Sequence, residues 1–168
     1  TQVLPPYSPY FSDYVSYENR LVIQLNNTTS QNQEVRLTAS IIGDNGISLV
    51  LQPSFVPPTP TLVPPFGNTR LTGIQLKDYW DINAWTVSGI SVSEILIGNG
   101  LPEGNYEICI QALDYVSGRA LSPSAPAGCS FFNINSIEPP IILQPSCGIS
   151  LESNAPQNLF FSWTVPAG

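Results

Sequence analysis

Two stretches of this chain alternate apolar and polar residues with a period of two. Val35, Leu37, Ala39 and Ile41 alternate with Arg36, Thr38 and Ser40, and Tyr106, Ile108, Ile110 and Ala112 alternate with Glu107, Cys109 and Gln111. That period belongs to a strand with one covered face and one wet face, because successive side chains point to opposite sides of a sheet. The covered face requires a second layer, so these stretches demand packed antiparallel sheets. Asp44-Asn45-Gly46 is a turn signal before Ile47, Leu49 and Leu51, so residues 35–51 read as a β-hairpin. Leu21, Ile23 and Leu25 alternate with Val22 and Gln24 as a further strand, and Cys129 to Ile134 reads as the last strand of this region. With 17 Pro, 12 Gly and only 10% charged residues, the composition is that of short strands joined by many turns. The expected fold class is all-β, an antiparallel β-sandwich with one or two short helices.

The helical expectations are local. Gln75 to Trp80 has room for one turn. Ser91-Val92-Ser93-Glu94 has capping-box spacing, in which Ser91 and Glu94 satisfy each other's backbone N–H groups. Ile95, Leu96 and Ile97 supply an apolar face, and Gly98-Asn99-Gly100 stops the helix, which predicts about two turns over 91–97. Pro53, Pro57, Pro58, Pro60, Pro64 and Pro65 lack the N–H that a central ladder needs. They predict edge strand or an extended crossover rather than a polyproline ligand.

Acidic residues outnumber basic ones 12 to 5, for a net charge of −7. Arg20, Arg36, Arg70, Lys77 and Arg119 are scattered, which argues against nucleic acid as a partner, since phosphate binding depends on clustered cations. No run approaches the ~18 apolar residues of a membrane helix. The chain has no Met and begins Thr1-Gln2-Val3. The expectation is an exported protein after signal-peptide removal, with a trimmed chain as the alternative. Cys109 and Cys129 flank a strand-turn-strand segment and are expected to form a disulfide in an oxidising compartment. Closing a loop of about 20 residues would contribute roughly 3 kcal/mol. Because Cys109 alternates with inward residues, the bridge should lie outside the core. Cys147 is left over, either free or paired beyond Gly168.

Pro139-Pro140-Ile141-Ile142-Leu143-Gln144-Pro145 followed by Leu159-Phe160-Phe161-Ser162-Trp163-Thr164 resembles the opening of a fibronectin type III domain. Such a sandwich needs about seven strands and roughly 100 residues. The expected organisation is therefore a fibronectin- or immunoglobulin-like sandwich over residues 1–136, then Glu138-Pro139-Pro140 as linker and the first strands of an incomplete domain over 137–168. The chain is expected to be a fragment. Leu4-Pro5-Pro6-Tyr7-Ser8-Pro9-Tyr10-Phe11-Ser12-Asp13-Tyr14, then Leu71-Thr72-Gly73 and Leu101-Pro102-Glu103-Gly104-Asn105-Tyr106-Glu107-Ile108-Cys109, resemble large exported proteins of the Bacteroidota. Those proteins carry a TANFOR-type region followed by fibronectin type III-like repeats. The resemblance implies a periplasmic, outer-membrane or cell-surface protein linked to type IX secretion or gliding, with other envelope or outer-membrane proteins as partners. It implies no catalytic residues and no cofactor.

With no His, no Ser-His-Asp or Cys-His arrangement can form within the chain, and no imidazole is available as a metal ligand. The carboxylates Asp13, Glu18, Asp44, Asp78, Asp81, Glu94, Glu103 and Asp114 lack EF-hand spacing. The binding candidates are aromatic. Tyr79, Trp80 and Trp85, with Asp81 and Asn83, have the composition of a sugar-stacking surface, so glycans are the alternative partner; core filling is the competing and favoured reading. Tyr7, Tyr10, Phe11 and Tyr14, with Tyr17, offer contact area for a protein partner, against packing on the domain's own sheet edge. Trp163 is expected in the core of an intact second domain. Asn26 and Asn27 fit the N-glycosylation pattern with Thr28 and Thr29, a motif uninformative in a bacterium.

Overall fold

The computed structural model describes residues 1–97, 100–135, 141–144 and 160–164. Gly98, Asn99, Glu138, Pro139, Pro140, Cys147 and Leu159, on which sequence expectations rest, lie outside the described residues. The chain divides into two compact units, Thr1–Ile134 and Asn135–Gly168.

The first unit is an all-β sandwich. Its smaller sheet contains β1 (Gln2–Val3), β2 (Leu21–Asn26) and β6 (Asn68–Thr72), in the order β1-β2-β6. The larger sheet contains β3 (Gln33–Gly43), β4 (Ser48–Leu51), β5 (Thr61–Val63), β7 (Trp85–Ser88), β8 (Gly104–Asp114) and β9 (Cys129–Ile134). Its order is β7-β4-β3-β8-β9, with β5 beside the first residues of β3, and all these pairings are antiparallel. Pairing β2 with β6 in one sheet, and β3 with β8 and β9 in the other, reproduces the connectivity of an immunoglobulin-type sandwich.

The two alternating runs become neighbours. Val35 to Gly43 pairs with Asp114 to Tyr106 in unbroken register. Leu37, Ala39, Ile41, Tyr106, Ile108 and Ile110 are all buried on one side of that pair. They pack into one core with Leu21 and Ile23 of β2 and Leu71 of β6. Asp44-Asn45-Gly46 turns the β3–β4 hairpin, and Gly46 sits at φ 83°, which only a residue without Cβ adopts at little cost. The proline-rich stretch yields β5, an edge strand three residues long, as the missing N–H groups require.

The short helices are α1 (Asp13–Ser16), two 3₁₀ segments at Gly73–Trp80 and Ile82–Ala84, and α2 (Val92–Ile97). Gly73–Trp80 is longer than the single turn expected, and at its start the Thr72 N–H donates to Gln75 Oε1 at 2.9 Å. At α2 the predicted reciprocal cap is present: the Ser91 N–H donates to Glu94 Oε2 at 2.9 Å, and the Glu94 N–H donates to Ser91 Oγ at 3.2 Å. Its apolar face is narrower than expected. Ile95 is buried, while Leu96 and Ile97 are exposed, since one short helix at 3.6 residues per turn can direct only part of a three-residue apolar run inward.

Tyr106 has a role beyond filling the core. Near the start of β8, its hydroxyl donates to the Pro102 carbonyl at 2.8 Å and accepts from Asn45 Nδ2 at 2.8 Å. This is the tyrosine-corner arrangement of immunoglobulin-type sandwiches, here tied also to the β3–β4 turn.

In the second unit, β10 (Ile142–Gln144) and β11 (Ser162–Trp163) form an antiparallel pair. Ile142, Leu143, Phe161 and Trp163 are exposed.

Candidate interaction surface

The aromatic candidates separate sharply by burial. Trp80 is 7% exposed and Trp85 4%, and Tyr79 is buried with them. Phe11 stacks on Trp80 with ring centroids 5.5 Å apart and meets Trp85 edge-on at the same distance. Trp85 Nε1 donates to the Tyr79 carbonyl at 2.7 Å, and the Tyr79 hydroxyl accepts from the Leu37 N–H at 3.2 Å. The sugar-stacking reading of Tyr79, Trp80 and Trp85 is therefore corrected. Stacking needs an open ring face, and these faces are spent on one another and on Phe11.

The N-terminal aromatic segment is divided too. Phe11 and Tyr14 are buried, whereas Tyr7, Tyr10 and Tyr17 are exposed, at 37%, 51% and 56%. Ser8 locks the segment: its Oγ donates to Asp13 Oδ2 at 2.6 Å and accepts from the Tyr10 N–H, while the Tyr14 hydroxyl donates to the Ser8 carbonyl at 2.7 Å. Tyr7 and Tyr14 both lean on Phe132 of β9. The segment thus packs on its own sandwich through Phe11 and Tyr14 and offers Tyr7 and Tyr10 outward.

Burial pushes the hydroxyl pKa of Tyr14, Tyr79 and Tyr106 above the ordinary tyrosine value. A folded pKa above the unfolded one means that the contribution to stability is intact below about pH 10 and is lost as pH rises toward the folded value. A titration followed at the phenolate absorbance band is expected to show these three hydroxyls ionising only as the far-UV circular dichroism collapses. Complete ionisation of all seven tyrosines with the fold intact would contradict the burial.

Cys109 and Cys129 are directly opposed on β8 and β9 and form a disulfide. The bond lies on the outer face, on the side opposite Ile108 and Ile110. Exposed Ile42, Val50 and Phe131, the last 73% exposed, belong to the same outer face. Among the described residues, Glu107, Cys109 and Cys129 are the grouping tight enough to suggest a metal. The two sulfurs are bonded to each other, so the thiolates that a soft cation requires are already spent.

The carboxyl groups of Asp44, Glu94 and Asp114 are held below their usual range by hydrogen bonds, from Asn105, Ser91 and Ser117 respectively. Asp44 ties the β3–β4 turn to the start of β8, Glu94 caps α2 and Asp114 closes the turn after β8. Asn27 is equally committed: its Nδ2 donates to the Gln31, Val63 and Pro64 carbonyls, and its Oδ1 accepts from the Thr29 N–H and hydroxyl. Of the two Asn-x-Thr asparagines, Asn27 is buried as a structural hub and Asn26 is exposed. Among the described residues, no helix is long and apolar enough to cross a membrane.

A cleft of about 470 Å³ opens between β2 and the connection from β8 to β9, with Ile23, Leu25, Ile110, Ala112 and Leu121 among its walls. Sequence reasoning missed it, because periodicity reports which face of a strand is covered and says nothing of how a strand and a distant connection are spaced. Comparison with known proteins finds no matching family model, curated protein or solved structure.

Proposed function

We propose that this chain is a non-catalytic structural and interaction module of an exported, multidomain cell-envelope or surface protein. The observation that carries the reading is a sandwich stapled by Cys109–Cys129 that presents Tyr10 and Phe131 to solvent. Disulfides persist in oxidising compartments, and large aromatics held on a rigid scaffold bind protein surfaces at small cost in conformational entropy. The phrases resembling TANFOR-type Bacteroidota proteins favour a partner in the type IX secretion or gliding apparatus.

The test is photo-cross-linking in intact native cells, with a photoreactive residue in place of Tyr10 or Phe131 and a control at exposed Arg70 of β6. Discrete adducts with another envelope protein are expected from position 10 or 131 and not from position 70. Exported, folded protein that yields no adduct from either aromatic position would refute the proposal.

A further inference from the structure

A second cleft, of about 900 Å³, opens where α1 packs against the 3₁₀ segment Gly73–Trp80. Contacts within the first unit set its walls. Gly73 has φ 48°, and a Cβ there would stand 3.2 Å from the Cα and Cγ of Glu18. A glycine in the left-handed region thus lets the chain after α1 rest on the start of the 3₁₀ segment. Phe55 meets Tyr79 edge-on, with ring centroids 5.6 Å apart. The Tyr115 hydroxyl donates to the Pro57 carbonyl at 2.9 Å, which anchors the proline-rich connection beside Pro58 of the cleft wall.

The lining is apolar surface with acidic side chains around it. Residues three apart eclipse in a 3₁₀ helix, so Ile74 and Lys77 stand in one row of the segment and Asp78 and Asp81 in the next. Ile74 is 71% exposed, and half-buried Val15 and Phe55 line the cleft with it. Glu18, Asp78 and Asp81 are set against one lining cation, Lys77. Asp81 spends its Oδ1 on the backbone and side chain of Asn83. Glu18, Asp78 and Lys77 enter no hydrogen bond or ion pair among the described residues.

We infer that this cleft receives a segment of a partner protein in which an arginine or lysine lies between apolar residues. The apolar side chains cover Ile74 and Phe55, and the cation faces Glu18 and Asp78. Removing the exposed apolar surface from water supplies affinity, and the two uncommitted carboxylates supply the choice of charge. A volume of this size holds several side chains, and a lone cation would leave Ile74 wet. An acidic segment would set its own carboxylates against those of the cleft, in a chain of net charge −7. This surface is distinct from the one that Tyr10 and Phe131 offer, and it extends the interaction-module reading without resting on it.

The probe is a capped seven-residue peptide of serine and glutamine around a central leucine-arginine-leucine, titrated into the isotopically labelled 168-residue chain. Saturable NMR shifts are expected at the indole N–H of Trp80, which lines the cleft, and at the Ile74 and Asp78 amides. A peptide with glutamate in place of arginine should bind several-fold more weakly. Glu18→Gln combined with Asp78→Asn keeps both side-chain shapes and should weaken the arginine peptide about fivefold. Glu107→Gln, on the outer face of β8, should leave that affinity unchanged. Ile74→Ser, at an exposed position, should weaken binding by a similar factor to the double variant. The comparison of the two peptides uses the unaltered chain and decides the charge preference if a variant does not fold. No saturable shift at millimolar peptide, equal affinity for the two peptides, or a loss with Glu107→Gln as large as with the double variant would overturn the inference. Cellular adducts from position 10 or 131 without peptide binding would overturn the cleft alone. Peptide binding without any cellular adduct would leave the cleft standing and end the Tyr10 and Phe131 reading.

Discussion

Replacing Trp85 with alanine is expected to destabilise the first unit by about 3–5 kcal/mol, the usual cost of emptying a large aromatic site in a core. Trp85 sits among Phe11 and Trp80 and closes a hydrogen bond to the Tyr79 carbonyl, so truncation opens a cavity and leaves a buried acceptor unpaired. Trp80 makes the useful contrast, since its Nε1 is buried with no hydrogen-bond partner in the structure. Trp80→Phe removes that orphan donor while keeping most of the ring, and should cost clearly less than Trp85→Phe. Urea unfolding followed by tryptophan fluorescence measures all three variants. A Trp85→Ala protein as stable as the parent would mean that the ring is not in the core, and would reopen the sugar-stacking reading.

Removing the disulfide is the second large perturbation. The bond closes a separation of 20 residues, and the loop-entropy model assigns about 3 kcal/mol to a closure of that size. The Cys109→Ser, Cys129→Ser double variant should still fold, because both sulfurs lie on the outer face while the inward residues of β8 keep their packing. Its melting temperature should fall by about 10 °C. Reductant should lower the parent by a similar amount and leave the double variant unchanged. A parent insensitive to reductant would show that the bond does not form in solution.

Much of the architecture is legible in the residues themselves. The β3–β8 pair is announced by alternation because its two faces see different solvents, and the hairpin turn by Asn45-Gly46 because few residues accept positive φ. The cap of α2 is equally local, a matter of Ser91 and Glu94 alone. What stayed hidden is what depends on distant neighbours. The composition of Tyr79-Trp80-Asp81-Ile82-Asn83-Ala84-Trp85 suits a sugar surface as well as a core, and only the arrival of Phe11 from the other end of the unit decides between them. The twin bonds of the Tyr106 hydroxyl could not be read from β8, since Asn45 belongs to another hairpin.

The placement of Cys109 opposite Cys129 has a mechanical consequence. A pulling force applied between Thr1 and Ile134 travels through the covalent shortcut, so the loop that the bond closes, a sequence separation of 20, remains slack while the rest of the unit is drawn out. That withholds roughly 70 Å of contour length, at ~3.5 Å per extended residue. A thiol reductant would release the reserve as a discrete lengthening under load, making the unit's maximum extension dependent on the redox state of its surroundings.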